Sequence, residues 1–190
     1  MMVSFGKHIV FPILACSLLL PPAAIGAQTP TLTDITVSNT NDDLILFLKL
    51  EGSFPEKIKR QILDGTATSF AFIIRLAQVH DLWFDRKIAD MRVVHTIRYD
   101  NLKKEFIVQR SWKNDESEIT TSFEEAQQWM NQIDSLKIIP LNRMERGTQY
   151  QLLAKAEVSK KNLPFNLHYI LAFLSFWDEE TDWYIIDFTY

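Results

Sequence analysis

Thiol chemistry is nearly missing from this chain of 190 residues. Its one cysteine, Cys16, lies inside the apolar run 9–27. Beyond that run there is no sulfur for a disulfide, a thiolate metal site or a cysteine nucleophile, and no disulfide-linked partner is expected. Glycine is scarce as well: only Gly52, Gly65 and Gly147 follow residue 27, far apart. That spacing excludes a phosphate-cradling loop, a dinucleotide fingerprint and a nucleophile elbow. Histidine after the run is limited to His80, His95 and His168, with no H-x-x-x-H spacing, so neither a metal site nor any other cofactor is expected. There is no basic excess, the net charge being −4, and nucleic acid is not an expected partner. What remains is the 47% hydrophobic, 23% charged composition of an ordinary globular protein.

Residues 9–27, IVFPILACSLLLPPAAIGA, carry no charge, follow Lys7 and His8, and precede the polar Gln28-Thr29-Pro30. This is the outline of a secretory signal peptide. Pro12, Pro21 and Pro22 interrupt the run and leave 9–20 as the longest apolar core, too short for a hydrocarbon layer about 30 Å thick. Cleavage after Ala27 is expected, giving a signal peptide 1–27 and a single β-rich domain 28–190, exported to the periplasm. Lipid attachment at Cys16 and retention as a membrane anchor are the alternatives. Loss of residues 1–27 removes Lys7 and brings the charge to −5.

Beyond the leader, period-two alternation prevails. Leu44, Leu46, Leu48 and Leu50 share a strand face, joined through the turn 39–43 to a first strand at 32–38. Ser53-Phe54-Pro55-Glu56 has the S-x-x-E capping pattern and predicts a helix over 55–64, ended by Gly65. Phe70, Phe72, Ile74 and Leu76 form the next apolar face. A long strand at 88–99 puts Ala89, Met91, Val93, His95, Ile97 and Tyr99 on one side, and the chain returns through 106–112. Ser122-Phe123-Glu124-Glu125 predicts a second capped helix, with Phe123, Ala126, Met130 and Ile133 as its buried stripe. Gly147-Thr148-Gln149-Tyr150 leads into a strand with Leu152, Ala154, Ala156 and Val158 inward, similar to the corner tyrosine of fibronectin-type sandwiches. The last strand is 183–188.

These elements predict a mainly β protein: an antiparallel two-sheet sandwich, immunoglobulin- or fibronectin-like, with two short helices over an open edge or end. Residues 163–177, fifteen mostly apolar positions, read equally as helix, strand or surface-binding segment. A helix there would move the architecture to α+β.

Two polar clusters are candidates for function. In the first, His80, Asp81, Trp83, Phe84, Asp85 and Arg86 lie between two strands. Three readings stand: a packed cap, a partner-binding anchor built on Trp83, Phe84, Asp85 and Arg86, or an acid/base pair of His80 with Asp81, or of His168 with a carboxylate. The second runs Trp177-Asp178-Glu179-Glu180-Thr181-Asp182-Trp183-Tyr184. It reads as a solvated acidic turn; it lacks the EF-hand order with its glycine, and paired carboxylates of the glycosidase kind stay open as a reading, because that geometry lives in space and not in sequence spacing. Trp177 and Trp183 join the partner-binding candidates. No residue is assigned a catalytic role, and His95, on an apolar strand face, is expected to be a hydrogen-bonded core histidine.

The start Leu32-Thr33-Asp34-Ile35, the stretch Trp83-Phe84-Asp85-Arg86-Lys87-Ile88-Ala89-Asp90, the turn Tyr99-Asp100-Asn101-Leu102, the string Gly147-Thr148-Gln149-Tyr150-Gln151-Leu152, and the ending from Leu163-Pro164-Phe165 through Asp182-Trp183-Tyr184 resemble the domain-of-unknown-function family 4390 of bacterial exported proteins. The resemblance covers nearly all of 31–190. It implies a signal peptide followed by one domain and, from genes placed near a membrane sensor kinase, an accessory role in the envelope or in signalling. It supplies no activity and no functional residues. The leading expectation is therefore a non-enzymatic exported domain that binds an envelope or membrane-associated protein. The alternatives are a carrier of lipid or another apolar ligand, lined by 163–177, and a hydrolase using His80 or His168.

Overall fold

Leucine at every second position of β2 (Asp43–Glu51) makes one face greasy and the other wet, and a strand of that pattern must bury one side. The computed structural model, which describes residues 29–80, 84–113, 116–159 and 179–190, places β2 at the centre of a three-stranded antiparallel sheet between β1 (Thr31–Asn39) and β7 (Gln132–Pro140). The β1–β2 turn is held by the Thr40 hydroxyl, which accepts from the amides of Asp42 and Asp43 at 3.2 and 2.9 Å. The second sheet runs β10–β8–β3–β4–β5–β6, all antiparallel: β10 (Tyr184–Thr189), β8 (Gln149–Ser159), β3 (Thr68–Gln78), β4 (Arg86–Asp100), β5 (Glu105–Arg110) and β6 (Ser117–Thr120). The short β9 (Glu179–Glu180) pairs β8 beyond β10.

The two sheets share one core. Leu44, Leu46, Leu48 and Leu50 of β2 meet Phe70, Phe72, Ile74 and Leu76 of β3, Val93 and Ile97 of β4, and Leu152, Ala154, Ala156 and Val158 of β8, all buried. Each leucine or phenylalanine removed from water contributes ~1.5–3 kcal/mol. The expected β-sandwich is therefore found. The chain crosses between sheets after β2, after β6 and after β7, so β1-β2-β7 and β10-β8-β3 repeat the strand order of the immunoglobulin-like sandwich, with β4 added beside β3. Tyr150, at the start of β8, is fully buried, and its hydroxyl accepts from the amide of Glu145 at 2.8 Å. That is the tyrosine corner expected from Gly147-Thr148-Gln149-Tyr150.

Among the described residues two α-helices flank the sheets. α1 (Glu56–Leu63) buries Ile58 and Ile62, but its cap differs from the expectation. Pro55 occupies the N-cap position, and Ser53 lies two residues earlier, buried, donating to Asn131 Oδ1 at 2.7 Å. The S-x-x-E pattern there is a tertiary hydrogen bond and not a capping box. α2 (Phe123–Asn131) is capped as expected, the Ser122 hydroxyl accepting from the Glu125 amide at 3.2 Å. It packs between β5 and β7 with Ala126 and Met130 buried. The stripe assigned to this helix overreaches by one turn: the backbone switches to extended geometry at Gln132, so Ile133 is buried from β7. Strands β6, β7 and β9 were not expected, and 163–177 lies outside the described residues.

Candidate interaction surface at the β3–β4 connection

β3 ends at Gln78 opposite the first residue of β4, Arg86, and the connection between them carries the first polar cluster. Phe84 is 100% exposed. The described residues on either side of 81–83 are tied down: the His80 amide donates to Asp85 Oδ1 at 3.3 Å, and the Val79 amide donates to the Gln149 carbonyl at 2.9 Å. Arg86 reaches Glu145 on the β7–β8 connection at 3.6 Å, and the buried Gln78 donates to the same carboxylate at 3.3 Å. Glu145 in turn supplies the amide that Tyr150 accepts. The tyrosine corner thus positions the acid that holds Arg86 beside Phe84. Exposed pairs such as Arg86–Glu145 contribute little to stability, leaving the guanidinium at low cost for a partner. Asp81, Trp83, Trp177 and His168 lie outside the described residues. His80 is exposed, and among the described residues its imidazole makes no hydrogen bond to a carboxylate.

Trp183 is not brought to Phe84. It precedes β10, where Tyr184 pairs Ala154 and Ala154 pairs Ile74, roughly 14 Å along β3 from Gln78 at about 3.4 Å per residue. Its ring lies 4.8 Å from the Arg75 guanidinium and 5.7 Å from the Lys155 ammonium, a cation–π stack on the outer face of the larger sheet. The acidic stretch beside it is stapled and not a free turn. Thr181 is buried, its hydroxyl accepting from the Ala156 amide at 3.0 Å, and Glu180 pairs Lys155.

His95 is the core histidine expected, and its partners were not readable in advance. Its ring is fully buried, with Nδ1 2.9 Å from the Met130 carbonyl and Nε2 accepting from the Trp112 indole at 3.0 Å. That pair of bonds assigns the proton to Nδ1 in a neutral ring. Burial lowers its pKa to about 4, against the pull of the Met130 carbonyl in the other direction. Beside it Arg110, buried and paired with Glu118, lies opposite His95 in the β4–β5 register. The alternation Phe106, Val108, Arg110 was the available signal: it puts an arginine on an inward face, where a carboxylate must follow.

Two shallow grooves are found among the described residues. One, about 300 Å³, lies between the end of β2 and α2 and is lined by Lys49, Glu51, Glu124, Gln127, Gln128 and Asn131, among others. The other, about 230 Å³, lies on β4–β6. Among the described residues no three His, Cys, Asp or Glu side chains are grouped to hold a metal ion, and no helix is long and apolar enough to cross a membrane.

Compared with known proteins, residues 27–187 match a family described as "Domain of unknown function (DUF4390)". No curated protein and no solved structure matches.

Proposed function

The chain belongs to the DUF4390 family, and we propose that it is an exported, non-enzymatic domain of the cell envelope that binds an envelope or membrane-associated protein through the end of the sandwich carrying Phe84 and Arg86. The observation that carries this reading is a wholly exposed aromatic ring close to an arginine that is paired, among the described residues, with the solvent-exposed Glu145 carboxylate. Aromatic and arginine side chains presented this way are the common anchors of protein interfaces. The charge-free run 9–27 followed by Gln28-Thr29-Pro30 supports export. The carrier reading has less support, because it rests on 163–177, outside the described residues, and the two grooves open to solvent. The hydrolase reading has less again, since Asp81 and His168 lie outside the described residues and the imidazole of His80 makes no hydrogen bond to a described carboxylate.

Replacing Phe84 and Arg86 together by alanine is expected to lower recovery of the partner from membrane extract at least about tenfold, the usual cost of losing an anchor. The thermal midpoint should stay nearly constant, because surface substitutions shift stability by only about 0.5 kcal/mol. Undiminished recovery overturns the assignment of this end. Retained extra mass in native mass spectrometry of the fresh protein favours the carrier instead.

A further inference from the structure

At the other end of β4 the β4–β5 hairpin runs past its neighbour. β3 begins at Thr68, opposite Ile97, whereas β4 and β5 continue through Tyr99 opposite Phe106 and Asp100 opposite Glu105. The tip is Asn101-Leu102-Lys103-Lys104, and Leu102 is 95% exposed. This exposure does not come from a loose loop. Asp100 Oδ1 accepts from the amides of Leu102 and Lys103 at 2.9 and 3.1 Å, and the Lys104 amide donates to the Asp100 carbonyl at 2.8 Å. The Lys103 amide, followed by that of Leu102, holds the Asp100 carboxyl below its ordinary range. Lys104 sits at φ +60°, a left-handed conformation where glycine or asparagine would be relaxed. Gly65, at φ +85°, lets the end of α1 close against the tip: a Cβ there would lie 3.0 Å from Asn101 Nδ2.

Cations neighbour the leucine along the hairpin, which also carries the carboxylates of Asp100 and Glu105. Arg98, Lys103 and Lys104 are all exposed, on a chain whose net charge is −4. Below the tip, Arg98 shares the β4–β6 groove with Ile107 and the exposed Ile119. The chain enters the domain at this same end, because Thr31 pairs Glu51, which leads into α1.

We propose that this end docks on an anionic phospholipid surface, with Leu102 entering the acyl boundary and Arg98, Lys103 and Lys104 pairing with headgroup phosphates. A braced apolar point on a hairpin whose three exposed cations outnumber its two carboxylates matches that surface in both polarity and charge. Neither element suffices alone, since one side chain gives marginal binding and a basic patch adds the second signal. Each cation near such a surface strengthens partitioning about fivefold.

The test is co-sedimentation of the protein, in the form recovered after expression of the full chain, with vesicles of phosphatidylglycerol mixed into phosphatidylcholine and with phosphatidylcholine alone. Preference for the anionic vesicles is expected, weakening as salt rises. Leu102→Asp should lower that partitioning at least about tenfold, and Lys103→Gln with Lys104→Gln about 25-fold. Phe84→Ala should leave it unchanged, which separates this result from failure of the partner-binding reading. Binding that is equal for the parent and both tip variants, absent throughout, or seen only on native membranes and not on lipid vesicles overturns the proposal, the last outcome assigning the tip to a protein.

Discussion

Protonating His95 removes a hydrogen-bond acceptor as well as adding a charge, since Nε2 is the acceptor of the Trp112 indole. Burial of the ring is the main opposition to the change; the buried Arg110 and the half-buried Lys113 also disfavour a cation there, and the Met130 carbonyl and Glu118 only partly offset this. With a folded pKa of about 4, against about 6.5 for an unfolded histidine, the ring contributes stability that is fully present above pH 6.5. That contribution is lost progressively as pH falls towards 4, because only the unfolded chain takes up the proton in that window. The loss should total roughly 3 kcal/mol at about 1.4 kcal/mol per pH unit. Urea unfolding between pH 7 and pH 4 checks it: His95→Gln is expected to be less stable at neutral pH and to show a shallower acid slope. Equal slopes would mean that the ring titrates normally. The burial of His95 was legible from the apolar alternation of β4. Its partners were not, because Met130 lies 35 residues away in α2 and Trp112 lies 17 away after β5, and only the fold sets those distances.

Two segments of the same S-x-x-E pattern ended up in different roles. At Ser122 the residue before the helix is free to turn its hydroxyl onto the Glu125 amide. At Ser53, Pro55 takes the cap position, and the serine is left to face Asn131 across the packed interface. The local motif therefore specifies a cap only where the following backbone allows one, which is the reason one helix start was legible and the other was misread. The end of α2 was misread for a related reason: Ile133 continues the helical spacing but stands opposite Leu48 in β7, and the sheet pairing prevails over the periodicity. Ser122→Ala should cost about 1 kcal/mol as a lost cap, with no dependence on Asn131. Ser53→Ala should instead couple to Asn131→Ala by about 1 kcal/mol in a double-mutant cycle followed by chemical denaturation. A cycle that closes without coupling would return Ser53 to the helix start.

The sandwich leaves its sheet edges unequally guarded, and that bears on where partners can sit. β1 is bulged at Asp34, φ 50°, and β7 at Ser135, φ 56°, while β6 spans four residues. Bulges and short strands of this kind discourage pairing at those three edges; the fourth, β10, is a regular six-residue strand with Tyr184 and Ile185 exposed, and the two proposed surfaces lie at the ends of the sandwich. Those ends are set apart by the length of β4, whose 15 residues span roughly 45–50 Å at about 3.3 Å each. Phe84 precedes one terminus of the strand and Leu102 follows the other. No shared side chain links them, so their binding free energies should add independently. Capture of the partner from membrane extract is therefore expected to be the same in the presence and absence of phosphatidylglycerol vesicles. Leu102→Asp should preserve capture, and the Phe84→Ala, Arg86→Ala variant should preserve vesicle binding. A pull-down in which vesicles displace the partner would place both on one surface, and the separation of the two ends along β4 would then have no functional meaning.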